Sequence, residues 1–449
     1  MNLHAKLTAR EAAGRPVRIG LIGCGKFASM FLAQVPRTPG LHVAAIADLA
    51  PERARANLTR IGWSPERFAA STLDDAIARR AIWLTEDALA MVADPRIEVV
   101  VEATGHPASG IAHARAAIAA GKHVVMVNVE ADVLAGPALA AEAAKAGVVY
   151  SLAYGDQPAL VCELVDTLRT AGFTVTAAGK GTKYLPAYHA STPETVWSHY
   201  GISPEAAAAG GMNPRMFNSF IDGTKSGIEM AAVANATGLA APQDGLLFPP
   251  CGVDDLPLIL TPASEGGVLA GKGMVEVVSS LERDGRAVSR DLRWGVYAVF
   301  EGETEYVRRC FTEYGMRTDP SGRYAALWRP YHFIGLELGI SVASVALRGE
   351  PTGAPEAFRA DVVAVAKRDL PLGTVLDGEG GSTVWGKVVP ASRSLAIGAL
   401  PIGLAHGVTL TRPVASGAII GWADVRAKDD DATRYRRAME EAWRQRAAA

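Results

Sequence analysis

The first 150 residues alternate short apolar runs with helix-forming stretches. The runs 17–22, 42–48, 98–103, 123–128 and 148–153 are β-rich and hold few polar positions, the pattern of strands buried on both faces of a parallel sheet. Between them lie the alanine-rich stretches 108–120 and 137–145, with Gly121 and Gly147 placed as helix stops. Strands alternating with helices predict an α/β fold, a doubly wound parallel sheet of Rossmann type. The stretch 62–86 is too long for a tight connection and predicts an inserted helix.

Beyond residue 152 the pattern changes. Helical runs at 158–171 and 222–237 mix with alternating segments at 274–281 and 296–300, which predicts an α+β domain with a mixed or antiparallel sheet. The Gly- and Pro-rich stretch 348–358 reads as a linker. After it, 361–425 holds many short apolar pieces separated by Gly and Pro, expected to form a small all-β module. The tail 428–449 is expected to be a charged, exposed helix. The expected domains are therefore 1–153, 154–355 and 356–428, followed by a helical tail at 429–449.

Composition narrows the class. Hydrophobic residues make up 49% and charged residues 20% of 449, enough for a large core in a soluble protein. Lys plus Arg total 45 against 47 for Asp plus Glu, a net charge of −2, so no footprint for nucleic acid or a membrane surface is expected. The four cysteines, Cys24, Cys162, Cys251 and Cys310, have no metal-ligand spacing and predict neither a disulfide framework nor a zinc ribbon. The opening residues lack the apolar stretch of a signal peptide, and no uncharged apolar run reaches the ~18 residues of a membrane span. A cytoplasmic enzyme acting on a small molecule is the expectation, as a homodimer or higher homo-oligomer.

The candidate chemistry begins at Gly23-Cys24-Gly25-Lys26-Phe27-Ala28, directly after VRIGLI. This is the G-x-G-x-x-G/A pattern in its strand–turn–helix setting. Gly23 allows the tight turn, Gly25 lets a diphosphate approach the backbone, and Ala28 permits close helix–strand packing; Lys26 and Phe27 open the helix. Asp48 ends the second expected strand, where a carboxylate accepts from the adenosine ribose hydroxyls. That favours NAD, while Arg53 and Arg55 can offset repulsion of a 2′-phosphate, so both NAD and NADP stay open. Thr104, Gly105 and His106 end the next strand at the ligand-binding edge, and Asn128 and Glu130 the one after, facing the nicotinamide end. His106 is either a catalytic acid or a loop residue packed beside the cofactor.

These residues, together with VVVEATGH, AGKHVVMVNVEAD, GPALAAEAAKAGVVYSLAYGDQPA, GKGTKYLP and FIDGTKSGIEMAAVANATGL, resemble the homoserine dehydrogenase family from Val17 to about Gly238. Two positions depart from it. Glu130 stands close to where family members carry a lysine, and Asp222 and Lys225 lie three apart where the family spaces its acid and lysine by four. The match is closer to the homoserine-dehydrogenase-like oxidoreductases with a C-terminal SAF domain, since VAVAKRDLPLGTVL and LPIGLAHGVTLTRPVASGAIIGWADV are similar to that module. That subset includes the deoxyxylulose-5-phosphate reductoisomerase-like enzymes. The resemblance implies an NAD(P)-dependent oxidoreductase, with a divalent cation (Mg or Mn) for a reductoisomerase. Homoserine dehydrogenase and a non-catalytic dinucleotide sensor are the alternatives.

Hydride transfer to a carbonyl builds negative charge on oxygen, which calls for a cation or donor there. Lys225 is the first choice, with Asp222 holding its ammonium and Glu229 one turn further along. Lys180, Thr182 and Lys183 lie in AAGKGTKYLP, read as a glycine loop after a strand, where backbone amides and lysines can hold an anionic substrate. Asp156 is either a helix cap before Pro158 or a carboxylate reaching substrate or metal. In RPYH, Arg329 suits a phosphate or carboxylate, and His332 either does acid–base work or is a satisfied buried histidine. Arg317 and Arg323 add possible anion contacts. No H-x-x-x-H, C-x-x-C or paired-carboxylate motif marks a metal, so its ligands stay unknown.

Overall fold

The computed structural model describes residues 2–448. The chain divides into two compact units, Met1–Leu160 with Phe333–Pro355 and Val161–His332 with Glu356–Ala449.

The first unit is built on a six-stranded parallel sheet: β1 (Val17–Ile22), β2 (Leu41–Ala47), β3 (Trp83–Thr85), β4 (Val99–Glu102), β5 (His123–Met126) and β6 (Tyr150–Leu152). Their spatial order is β3-β2-β1-β4-β5-β6, the doubly wound arrangement whose ligand crevice lies beyond the carboxyl ends of β1 and β4. Ile19, Leu21, Val43, Ile46, Val99, Val101 and Val125 are at most 1% exposed, as both-face burial demands. The stretch 62–86 holds more than the inserted helix. Besides the helix Leu73–Arg79 it contributes the edge strand β3, whose three half-buried residues give no apolar run to detect. A second difference concerns the helix expected at 137–145, which runs Val129–Lys145 with Pro137 inside it. Asn128 starts it early by accepting from the Ala131 amide at 3.1 Å.

Residues 333–355, assigned by sequence to the second domain, belong to this unit. The helix Gly339–Arg348 buries Val342, Ala343 and Val345 in the same core as Ile19, Phe31 and Leu32. The presumed linker is fastened down: the Leu152 amide donates to the Gly353 carbonyl at 2.7 Å, and the Thr352 amide to Ser151 Oγ at 3.0 Å.

The second unit holds a four-stranded sheet in the order β10-β9-β7-β8, from β7 (Thr174–Thr182), β8 (Met274–Ser279), β9 (Val296–Glu301) and β10 (Tyr324–Arg329). β7 and β8 are parallel and the other pairings antiparallel, the mixed sheet expected. The long helix Thr224–Thr237 is buried almost throughout. Residues 360–426 form a mainly β module around the antiparallel pair β11 (Ala360–Ala366) and β12 (Val384–Pro390). It is not all-β, because the helix Ala391–Ile397 follows β12.

The tail corrects the expectation of an exposed helix. In Asp431–Ala448, Arg436 is fully buried, with Nη2 donating to Asp361 Oδ2 at 2.6 Å and Nε to Glu440 Oε1 at 2.9 Å. Its guanidinium also lies 4.7 Å from the Phe358 ring. A buried cation with two carboxylates satisfies its donors away from water, so the charges that suggested solvent are what fix one face inside. Among the described residues, no helix is long and apolar enough to cross a membrane.

Candidate active site

In the first unit, β1 ends at Ile22 and the chain turns through Gly23 at φ +88°. A Cβ there would lie 2.8 Å from the Ala103 carbonyl oxygen, so only glycine fits the turn. Gly25 caps the helix Lys26–Gln34 and has nothing within 4 Å of a built Cβ, which leaves its amide face open to a diphosphate. Ala28 is fully buried, Phe27 half-buried and Lys26 exposed. Asp48 braces the loop: its Oδ2 accepts from the Cys24 amide at 2.8 Å, and its Oδ1 from the Ala50 amide at 2.8 Å and Arg53 Nη2 at 3.0 Å. Arg55 is engaged by Glu52 and the Phe68 carbonyl. These residues fit a dinucleotide. Cys24, buried beside them, has its thiol pushed up to about 11 by desolvation, then by the charge of Asp48, and is no nucleophile at neutral pH.

At the end of β4, Glu102 is fully buried, and its Oε1 accepts from Thr104 Oγ1 at 2.6 Å and pairs with His113 Nδ1 at 3.1 Å. Gly105 takes φ +69°. His106 caps the helix Pro107–Ala119, its Nδ1 accepting from the Ser109 amide at 3.3 Å. Asn128 Nδ2 donates to the His106 carbonyl at 3.0 Å, so this asparagine ties the two edge loops together. Glu130 is not at a strand end as expected. It sits in the first turn of Val129–Lys145, where a carboxylate suits the helix dipole.

In the second unit the segment AAGKGT is not a loop but the last part of β7, a correction to the sequence expectation. Its glycines serve backbone packing: a Cβ on Gly179 would lie 1.8 Å from the Glu276 carbonyl oxygen, and on Gly181 1.9 Å from that of Leu292. Lys180 is thereby placed inside, paired with the buried Glu229. Thr182 ends the strand half-buried, and its carbonyl accepts from the Ser280 amide at 2.8 Å. Lys183 Nζ donates to the His199 carbonyl at 2.5 Å. Burial, then the charge of Arg293, lowers the pKa of Lys183.

Asp222 follows the helix Pro214–Ile221, and Gly223 at φ +91° turns the chain into Thr224–Thr237. The turn points the Asp222 carboxylate into the interior, where it is fully buried. Its Oδ1 accepts from the Thr224 amide at 2.9 Å, and its Oδ2 from Lys367 Nζ at 2.8 Å. The partner of Asp222 is thus Lys367 of the C-terminal module in place of the expected Lys225. Burial pushes the Asp222 carboxyl upward, opposed by the Lys367 ammonium. Beside it, His189 Nδ1 meets the Asp222 carbonyl at 2.7 Å and its Nε2 meets Tyr184 Oη at 2.9 Å. The ring stacks on Trp385 with centroids 3.9 Å apart. Desolvation lowers the His189 pKa to about 4, so the ring is neutral, with Nδ1–H donating to the carbonyl and Nε2 accepting from tyrosine.

Asp156, 2% exposed, starts the helix Gln157–Thr170 and accepts from the Gln157 amide at 2.9 Å. Arg329 ends β10, and His332 Nδ1 meets the Trp294 carbonyl at 2.8 Å. Arg317 pairs with Asp254, and Arg323 with Glu265 and Glu301, which occupies them as structural cations. Lys367 and His189 escaped sequence reasoning because Asp222 lies 145 and 33 residues from them along the chain, while Tyr184 and Glu102 have partners nearby in sequence but stand in no motif that marks them. Among the described residues, no group of three or more His, Cys, Asp or Glu side chains is arranged to hold a metal ion. The donors described therefore do not fit the Mg or Mn that a reductoisomerase implies.

Comparison with known proteins agrees with this division of labour. Residues 17–154 match the oxidoreductase family with an NAD-binding Rossmann fold, and residues 155–338 match the catalytic domain of oxidoreductase DRL. No curated protein matches the chain. Among solved structures, the chain is similar to a homoserine dehydrogenase from Thiobacillus denitrificans at 15% identity, covering 78% of this chain and 83% of that one, with a TM-score of 0.45. It is similar to the aldose-aldose oxidoreductase from Caulobacter crescentus at 14% identity, covering 76% and 92%, with a TM-score of 0.39. The match to the myo-inositol dehydrogenase from Lactobacillus casei has 15% identity and a TM-score of 0.29. It covers 41% of this chain and spans about half of that enzyme, 52%. The chain therefore matches an NAD-binding Rossmann domain over residues 17–154 and a DRL-type oxidoreductase catalytic domain over residues 155–338.

Proposed function

We propose that the protein moves a hydride between NAD(P) and a small polar, anionic compound at a CH–OH or C=O group. The observation that supports the site is the helix Thr224–Thr237. Every residue from Ile221 to Thr237 is buried except Lys225, which is half-buried. The expected triplet is therefore no solvated surface: Asp222 and Glu229 are 0% and 3% exposed, and Lys225 is the one cationic side chain of the helix. The nicotinamide, when bound, supplies or accepts the hydride. Lys225 stabilises the negative charge growing on the substrate oxygen and gives it a proton; in the reverse direction it takes that proton. Lys183, its pKa lowered by burial, is the second group suited to proton exchange with the substrate. Glu229 pairs with Lys180 inside the fold, and Arg329 takes the anionic end of the substrate.

The sharper form of this reading is a deoxyxylulose-5-phosphate reductoisomerase-like activity, supported by the resemblance of the segments quoted above and by the β module that follows the catalytic domain. A homoserine dehydrogenase is disfavoured by Glu130, and a non-catalytic sensor by the match to a catalytic domain. The test is NADH and NADPH oxidation with sugar phosphates, aldehydes and keto acids, with and without Mg²⁺ or Mn²⁺. Lys225→Ala should lose at least about 100-fold in kcat with cofactor affinity kept. Wild-type turnover by that variant removes Lys225 from the site, and activity on aspartate semialdehyde reverses the ranking of substrates.

A further inference from the structure

The C-terminal module reaches the start of the Lys225 helix at several points. Lys367 follows β11, and its side chain is 2% exposed. Its ammonium donates to the Ser191 carbonyl at 2.6 Å, the Gly381 carbonyl at 2.7 Å and Asp222 Oδ2 at 2.8 Å. An ammonium has three N–H donors, so all are spent and none remains for substrate. Close by, the Gly386 amide donates to Thr224 Oγ1 at 2.8 Å, and Trp385 stacks on His189. A Cβ on Gly227 would lie 3.2 Å from the Gly386 carbonyl oxygen, so helix and strand are in close contact there.

We propose that Lys367 is a positioning residue which keeps the buried Asp222 carboxylate ionised and fixed at the turn leading to Lys225, making the C-terminal module part of the active site. Asp222 is fully buried, so bulk solvent does not stabilise its charge. With Lys367 gone, a fully buried carboxylate would keep only the neutral amide and hydroxyl of Thr224 and no opposing charge, and it would take up a proton instead. The turn at Asp222–Gly223 would then lose the charge-assisted bond that holds it, and with it the placement of Lys225. This inference rests on the proposed role of Lys225, but the state of Asp222 is measurable without any turnover.

The experiment compares the full-length wild type with Lys367→Met, Asp222→Asn and the double variant. The expected result for Lys367→Met is a kcat lower by about 10-fold or more, with substrate KM and NAD(P)H affinity within about twofold of wild type. The double variant should be no slower than the slower single variant, because both changes break one unit. Infrared spectroscopy at neutral pH gives the second readout: the Lys367→Met-minus-wild-type difference spectrum should show an additional protonated-carboxyl band that the double variant lacks. Should Lys367→Met not fold, Lys367→Gln, which keeps a neutral donor, takes its place in both measurements. Wild-type kcat in the lysine variant, multiplying effects in the double variant, or no additional protonated-carboxyl band in the lysine variant's difference spectrum would each overturn the proposal. If the wild type binds cofactor but reduces no carbonyl compound, the functional reading fails while the infrared band still decides the role of Lys367.

Discussion

Asp132 offers a pH test of the first unit that needs no substrate. It lies in the helix Val129–Lys145, fully buried, with Oδ1 accepting from Tyr150 Oη at 2.9 Å and Oδ2 buried without a hydrogen-bond partner. Desolvation, only partly offset by the tyrosine, raises its pKa from 3.8 to about 7. The unfolded chain ionises near 3.8 and the folded one near 7, so between these values the folded state holds the extra proton and stability falls as pH rises. The full span of about 3 units corresponds to about 4 kcal/mol, and the part above pH ~5.5 to about 2 kcal/mol. Asp132→Asn does not titrate, keeps an acceptor for Tyr150 and carries no charge to bury. Its stability relative to wild type should therefore climb by about 2 kcal/mol between pH ~5.5 and ~8.5, or roughly 4–8 °C in Tm for a unit of this size. Calorimetric melts of both proteins across that range measure it, and any constant cost of the amide cancels in the comparison. A flat or falling difference refutes the assignment of a neutral buried carboxyl.

Two further outcomes follow from contacts described above. Gly23→Ala places a methyl 2.8 Å from the Ala103 carbonyl oxygen at φ +88°; fluorescence titration should show NAD(P)H affinity weakened by at least about 10-fold, a loss of about 1.4 kcal/mol. Arg436→Ala leaves Asp361 and Glu440 buried without their shared cation and should destabilise by about 3–5 kcal/mol, read as a lower unfolding midpoint in urea.

The amino-acid sequence alone determined the parallel sheet and its cofactor loop, because both are local: apolar runs mark strands buried on two faces, and Gly23, Gly25, Ala28 and Asp48 fall in one short strand–turn–helix–strand segment. It also marked Lys225, which the fold leaves as the half-buried cation of an otherwise buried helix. What tertiary structure decided are the partners. Glycines at 179 and 181 looked like a loop until the Glu276 and Leu292 carbonyls came within contact. A run of charges at the terminus looked solvated until Arg436 met Asp361 across 75 residues. Asp222 looked paired with its neighbour until Lys367 arrived from the C-terminal module. Each of these choices depends on desolvation and close approach between distant segments, and such energies have no trace in local spacing.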